Sequence, residues 1–256
     1  TFAVVYGILY VANLIHPVLR FCLETFFIYQ IFATKSLKTE SMKVYKKLKE
    51  GDLIGARKEV SYLVGRDTEN LDESEVAKAD VETIAENTAD GVIAPMLFIA
   101  IGGAPLGFAY KAVNTLDSMV AYKNEELINI GFFSAKMDDI CNFIPARFAA
   151  VMLMIASLIL RFDFKGAVKI FKRDRFAHLS PNSAQTEAVA AGALQIQLGG
   201  THNYFGKAVV KPTIGDDIRP VEYEDIKRTN QLLYVSAVLS MAVCCLITFL
   251  IYVQLF

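Results

Sequence analysis

From Leu232 to Phe256 the chain runs 25 residues without a charged side chain, more than the ~20 a helix needs to cross the hydrocarbon of a bilayer. Buried helices of soluble proteins seldom run this long uncharged, so the segment predicts a transmembrane helix. The whole chain is 54% hydrophobic, above what one soluble core takes up. Residues 1–15 and 18–33 are two further apolar runs, split by His16-Pro17. Proline lacks a backbone donor and restricts the residue before it, so the pair predicts a membrane hairpin with His16 at the interface. Thr1 lies in an apolar run with no charged region before it, which predicts a truncated helix and not a signal peptide. The 26 basic and 27 acidic residues lie almost entirely between the apolar runs, and the lack of a basic arm excludes nucleic acid as a partner. Cys22, Cys141, Cys244 and Cys245 show no metal spacing and read as small apolar residues.

Between the apolar runs, residues 36–90 predict a polar helical layer. Leu37, Val44, Tyr45 and Leu48 form one apolar stripe, and Leu53, Ala56, Val60 and Leu63 a second. Asp72 followed by Glu75 is a capping-box signal for a helix over 73–88. Residues 92–110 have the length of a span, but Gly102-Gly103-Ala104-Pro105 and Gly107 cut them into halves too short to cross. A re-entrant helical hairpin is therefore expected; a single kinked span would put the flanking polar motifs on opposite faces. Residues 143–160 predict another apolar helix, 165–175 a basic amphipathic stretch, 184–198 a mildly apolar helix and 199–228 a loop. The fold class read from this pattern is all-α: a polytopic integral membrane protein of one domain, with the polar layer on one side. Its segments are 1–33, 36–90, 92–160, 161–231 and 232–256.

Four polar clusters are candidates for chemistry. Glu82, Glu86 and Asp90 recur at four-residue steps with Asn87 alongside, so one helix face would carry three carboxylates. They suit a Mg²⁺ ion holding phosphates, or equally a solvated acidic face. Lys111, Asn114, Asp117 and Ser118 share another face, followed by Tyr122, Lys123 and Asn124; these are poor helix formers but good partners for a polar ligand. Asp138, Asp139 and Asn142 precede Pro145 and Arg147, an acid-rich pattern also used to hold Mg²⁺-diphosphate. The fourth cluster holds Arg173, Asp174, Arg175, His178, Ser180, Asn182 and Glu187, in which a lone histidine is more often a structural donor than an acid or base. Gly200 to Lys207 fails as a P-loop, because five residues separate its glycines and Ala208 stands where Ser or Thr is needed.

Taken together, Val64-Gly-Arg-Asp-Thr68, Glu82-Thr-Ile-Ala-Glu-Asn-Thr-Ala-Asp-Gly-Val-Ile-Ala-Pro95, Gly102-Gly-Ala-Pro105 and Tyr110-Lys-Ala-Val-Asn-Thr-Leu-Asp-Ser-Met119 match no generic membrane pattern. With Tyr122-Lys-Asn124, Asp138-Asp139, Ile144-Pro-Ala-Arg147, Ser180-Pro-Asn182, Glu187, Ala191-Gly-Ala193 and Leu198-Gly-Gly200, the chain resembles the CbiB/CobD family of cobalamin-pathway membrane enzymes, the adenosylcobinamide-phosphate synthases. The resemblance runs over residues 36–206. It implies ATP- and Mg²⁺-dependent amide formation between adenosylcobyric acid and aminopropanol or its phosphate. Under that implication Glu82, Glu86, Asp90, Asp138 and Asp139 are expected to hold Mg²⁺, and Lys111, Lys123 and Arg147 to neutralise phosphate. Asn87, Asn114, Asn124 and Asn142 are expected to bind corrin amides, with Arg66, Asp67, Asp117, Ser118, Ser180, Asn182 and Glu187 completing the substrate site. The expected setting is the cell membrane, crossed several times, with the site facing the cytoplasm and later cobalamin-pathway membrane enzymes as possible neighbours. The competing expectations are a prenyl- or phosphotransferase with Asp-rich Mg²⁺ sites, and a non-catalytic corrinoid-binding scaffold.

Overall fold

The computed structural model describes residues 1–120, 128–204 and 206–255. Helices α1 (Phe2–Ile15) and α2 (Pro17–Ile31) form the expected hairpin. The turn between them is specified locally: Pro17 occupies the first helical position and the Val18 amide donates to His16 Nδ1 at 3.2 Å. Phe2, Tyr6, Leu14, Phe21 and Tyr29 point outward, as side chains facing a bilayer do.

Helices α3 (Thr34–Lys49), α4 (Leu53–Ser61) and α5 (Glu73–Asn87) form the polar layer. Val44, Leu48, Ala56, Val60 and Val76 bury their stripes in one core. The capping box is present: Asp72 Oδ1 accepts from the Glu75 amide at 2.8 Å, and Glu75 Oε2 accepts from the Asp72 amide at 2.9 Å. Helix α10 (Tyr223–Leu255) rises from this layer, tied to it by Asn230 Nδ2 donating to Ser41 Oγ at 2.9 Å.

Helix α5 continues through a π-helical stretch, Thr88–Ile93, into α6 (Ala94–Val120). Pro95 sets the bonding at this junction. Having no N–H, it leaves the carbonyls one π turn and one α turn before it, those of Asp90 and Gly91, without their helical donors. The Tyr110 hydroxyl lies 2.8 Å from the Asp90 carbonyl, and the Ala33 amide donates to Gly91 O at 3.3 Å.

Helix α6 is two arms. Gly102 (φ −138°, ψ 22°) and Gly103 (φ 63°, ψ −163°) break it, the second in a region open essentially to glycine alone. The chain then doubles back: the Phe98 and Tyr110 rings stack with centroids 4.8 Å apart, whereas twelve residues of straight helix would separate them by ~18 Å. The re-entrant hairpin is thus borne out and a single kinked span is not. At its tip the Ala104 amide donates to Glu24 Oε1 at 3.4 Å, and Arg20 Nε lies 3.7 Å from Glu24 Oε2.

Among the described residues three helical stretches are long and apolar enough to cross a membrane: Glu73–Met119, Gly131–Ile159 and Tyr223–Ile251. The first contains the hairpin, so it does not cross as one rod. Helix α7 (Ile128–Ile159) begins earlier than residue 143, because its polar first half is held by the second hairpin arm; its second half packs Ala149, Leu153 and Ala156 into the core shared with α9.

The last part of the polar side departs from expectation. Helices α8 (Phe164–Asp174) and α9 (Ser183–Leu194) cross so closely that a Cβ on Gly192 would lie 2.4 Å from the Gly166 carbonyl oxygen. Helix α9 stops at Gln195, in the left-handed conformation (φ 58°), before the predicted end at 198. The predicted loop then contains an antiparallel hairpin, β1 (Leu198–Tyr204) and β2 (Lys207–Ile214). Gly199, Gly200 and Pro212 mask it in the sequence. Here the glycines, at φ +73° and +101°, form a bulge, and a proline is tolerated on an edge strand.

Candidate active site

Two polar groups adjoin each other where α5, the hairpin mouth, α7 and α9 meet. The first lies beneath the β-hairpin, around a cavity of about 190 Å³ lined by Arg66, Glu82, Glu86, Asn87, His178, Glu187, Tyr204 and Lys211 among others. Glu82 Oε2 lies 2.9 Å from Arg66 Nη2, and its Oε1 accepts from the Gly199 amide at 2.7 Å. Both oxygens therefore anchor neighbours, and the carboxylate ties α5 to the root of the hairpin. Asp67 does the same at the hairpin's far end: its amide donates to Asn203 O and its Oδ2 accepts from the Gly206 amide, each at 2.8 Å. Glu86 Oε1 accepts from Ser183 Oγ at 2.7 Å. Burial holds the His178 imidazole below its ordinary range, and its Nδ1 accepts from the Ser180 amide at 3.0 Å. That favours a neutral, structural histidine.

The second group is at the hairpin mouth. The Tyr110 hydroxyl is 2.8 Å from Asn142 Oδ1 as well as from the Asp90 carbonyl, and Asn142 Nδ2 donates to Asp138 Oδ2 at 2.9 Å. Asn114 Nδ2 donates to the other Asp138 oxygen at 3.3 Å. The fully buried Asn142 has both ends of its amide engaged inside the protein and offers none to a corrin. Ser180 Oγ donates to Asp139 Oδ1 at 3.2 Å, and Asn182 Nδ2 to the Asp139 carbonyl at 2.9 Å. Arg147 donates to Asn182 Oδ1 at 3.2 Å and stacks 3.6 Å above the Phe143 ring. Ser180, Asn182 and Arg147 together thus clamp α7 to the start of α9. Lys111 is attracted to Asp90. Ser118 is exposed and bonds back to the Thr115 carbonyl at 3.0 Å. Lys123 and Asn124 lie outside the described residues.

Among the described residues no three His, Cys, Asp or Glu side chains form a ready-made metal cage. Mg²⁺ does not need one, since it is commonly held by one or two carboxylates, substrate phosphates and water. The donor chemistry fits: Asp90 feels the negative charges of Glu86, Asp117, Asp138 and Asp139, and Asp117 Oδ1 is buried with no hydrogen-bond partner. An orphaned carboxylate oxygen among like charges is what a hard cation would complete.

In the sequence Tyr110 stands out only as part of a motif, and Ser183, His202, Tyr204 and Lys211 belong to none of the candidate clusters. The tyrosine's place beside a re-entrant break was a usable signal; the last three depend on a hairpin that the sequence read as loop.

Glu187, 5% exposed on α9, makes a pH-dependent prediction. Burial, then the charges of Glu86 and Glu82, push its pKa well above the ordinary 4.5. The folded state then keeps a proton that the unfolded chain releases. Its contribution is full below about pH 4.5 and is lost as pH rises toward the folded pKa, at no more than ~1.4 kcal/mol per pH unit. Glu187→Gln, melted in detergent across pH 5–8, should show a flatter decline in Tm than the parent; parallel curves would contradict a protonated Glu187.

The fold and site define a class: a predominantly α-helical membrane protein whose broken, re-entrant hairpin brings carboxylates, amides and a lysine together at its mouth, next to a polar cavity beneath a β-hairpin. The family model described as CobD/Cbib protein matches residues 1–233. The cobalamin biosynthesis protein CobD of Clostridium perfringens is 54% identical over 96% of this chain and 78% of its own length. CobD of Streptococcus sanguinis is 54% identical over 90% and 73%, and CbiB of Salmonella choleraesuis 48% over 94% and 76%. No solved structure matches. The chain belongs to the CobD/Cbib family, and with it to the proteins of cobalamin biosynthesis.

Proposed function

We propose that this protein is an ATP-dependent amide ligase joining adenosylcobyric acid to (R)-1-aminopropan-2-ol or its O-phosphate, giving adenosylcobinamide or its phosphate. Family membership supports the pathway. The observation that carries the chemistry is Asp90 under the charges of Glu86, Asp117, Asp138 and Asp139, with Asp117 Oδ1 buried and without a hydrogen-bond partner and Lys111 attracted to Asp90. A carboxylate does not condense with an amine in water unaided, and activating it with ATP brings together negative charges that need a cation. Mg²⁺ held by Asp90, Asp117, Asp138 and Glu86 would supply that neutralisation.

In the first step a propionate oxygen of the corrinoid attacks the γ-phosphorus and ADP leaves. In the second the amine attacks the carbonyl carbon, phosphate leaves, and the proton passes to a carboxylate of the cluster. Lys111 offsets charge on the phosphoryl oxygens; Asn114 orients the corrinoid's peripheral amides. The setting is the cell membrane, with the site open to the cytoplasm where ATP is made, and with product passing to later membrane enzymes of the pathway. In purified protein given adenosylcobyric acid, Mg·ATP and amine, ATP hydrolysis should require the corrinoid and match amide formed one to one. Diphosphate release without ATP use would instead favour prenyl transfer, and corrinoid binding without any turnover a scaffold.

A further inference from the structure

We propose that the cavity beneath the β-hairpin is a phosphate-binding pocket, in which Lys211 and Arg66 hold the phosphoryl end of the nucleotide. This rests on the ligase reading for its role in turnover. Lys211 stands on β2 with its ammonium 5.3 Å from the centre of the Tyr204 ring, and both side chains line the cavity. It is attracted to Glu86, which lines the same cavity.

Arg66 also lines the cavity, with a side chain only 4% exposed. One of its terminal nitrogens faces Glu82, but its buried Nε has no acceptor. Buried donors are rarely left this way. An anion with several acceptor oxygens in the cavity would complete the Arg66 Nε–H and meet the Lys211 ammonium.

Size selects the ligand. At about 190 Å³ the cavity is below the ~300–1,000 Å³ of sites that enclose a drug-sized molecule. It admits a phosphate or diphosphate and excludes a corrin or a nucleoside, so the remainder of the nucleotide stays outside. Glu82 is paired with Arg66, and the Lys211 ammonium stands against the charge of Glu86. The clamps at Gly199 and Gly206 hold β1 and the turn, and the pairing of β2 with β1 carries Lys211 with them. Neither Lys111 nor Arg147 lines this cavity.

The test uses the full chain in detergent, with Mg²⁺-pyrophosphate as the binding probe in calorimetry and Mg·ATP in turnover. Lys211→Ala should weaken pyrophosphate binding and raise the KM for ATP, each on the order of tenfold, with the KM for corrinoid unchanged. Lys211→Arg, which keeps the cation, should stay within about threefold of the parent. Unchanged pyrophosphate affinity and ATP KM in Lys211→Ala, at normal Tm, would overturn the pocket. So would equal rises in both KM values, which mark a hairpin merely loosened. Should Lys211→Ala fold poorly, Lys211→Met keeps the apolar stem and reads the same quantities. Lys211-dependent pyrophosphate binding without amide formation in the parent would sink the ligase reading and leave the pocket standing. Amide formation with an ATP KM indifferent to residue 211 would do the reverse.

Discussion

Glu86→Gln lowers kcat on the order of 10²–10³-fold while leaving the protein folded and in the membrane. The substitution keeps the shape of the side chain and an oxygen to accept from Ser183 Oγ, which donates to Glu86 in the parent. What it removes is a negative charge facing Asp90 and the other carboxylates of the mouth. If that charge serves only as a solvated helix face, its loss relieves repulsion and the protein turns over normally. If it takes part in holding a cation on the phosphates, turnover falls with Tm unchanged. Adenosylcobinamide production by purified Glu86→Gln separates the two, and a rate within threefold of the parent would remove Glu86 from the site.

Gly103→Ala also lowers turnover, by a different route. Gly103 sits at φ 63°, ψ −163°, where a side chain costs about 1–3 kcal/mol. Its new Cβ would also lie 2.6 Å from Glu24 Oε1. Glu24 cannot step aside without cost, because the same carboxylate accepts from the Ala104 amide and faces Arg20. The tip therefore opens, and the displacement is carried along the second arm to Tyr110, Lys111 and Asn114. A lowered Tm in detergent and a fall in turnover of at least tenfold are expected. Gly7→Ala, whose Cβ would meet nothing within 4 Å, should match the parent in both; if Gly103→Ala does so too, the tip is not what positions the mouth.

The parts of this fold that were legible in sequence are those governed by local chemistry. The uncharged run after Leu232, the Asp72–Glu75 capping box and the Gly102-Gly103-Ala104-Pro105 break each carry their own physical reason. The side-chain groupings were legible as residue types and much less as geometry. Four-residue steps placed Glu82, Glu86 and Asp90 on one face, but could not reveal that Glu82 has both oxygens committed to Arg66 and Gly199. Nor could they show that Asn142 is sealed between Tyr110 and Asp138. Contacts made by distant parts of the chain decide those roles. The β-hairpin was illegible because its glycines and proline are the residues that ordinarily end strands, and Lys211, 145 positions beyond Arg66 in the chain, became a neighbour only through it.

The central claim is that this membrane protein forms an amide at the expense of ATP, and corrinoid mass tests it most directly. Full-length protein in detergent, given adenosylcobyric acid, Mg·ATP and either aminopropanol or its phosphate, should convert the corrinoid to a species heavier by one amine less one water, with one amine preferred. An unchanged corrinoid mass with both amines, in protein that demonstrably binds the corrinoid, would contradict the ligase.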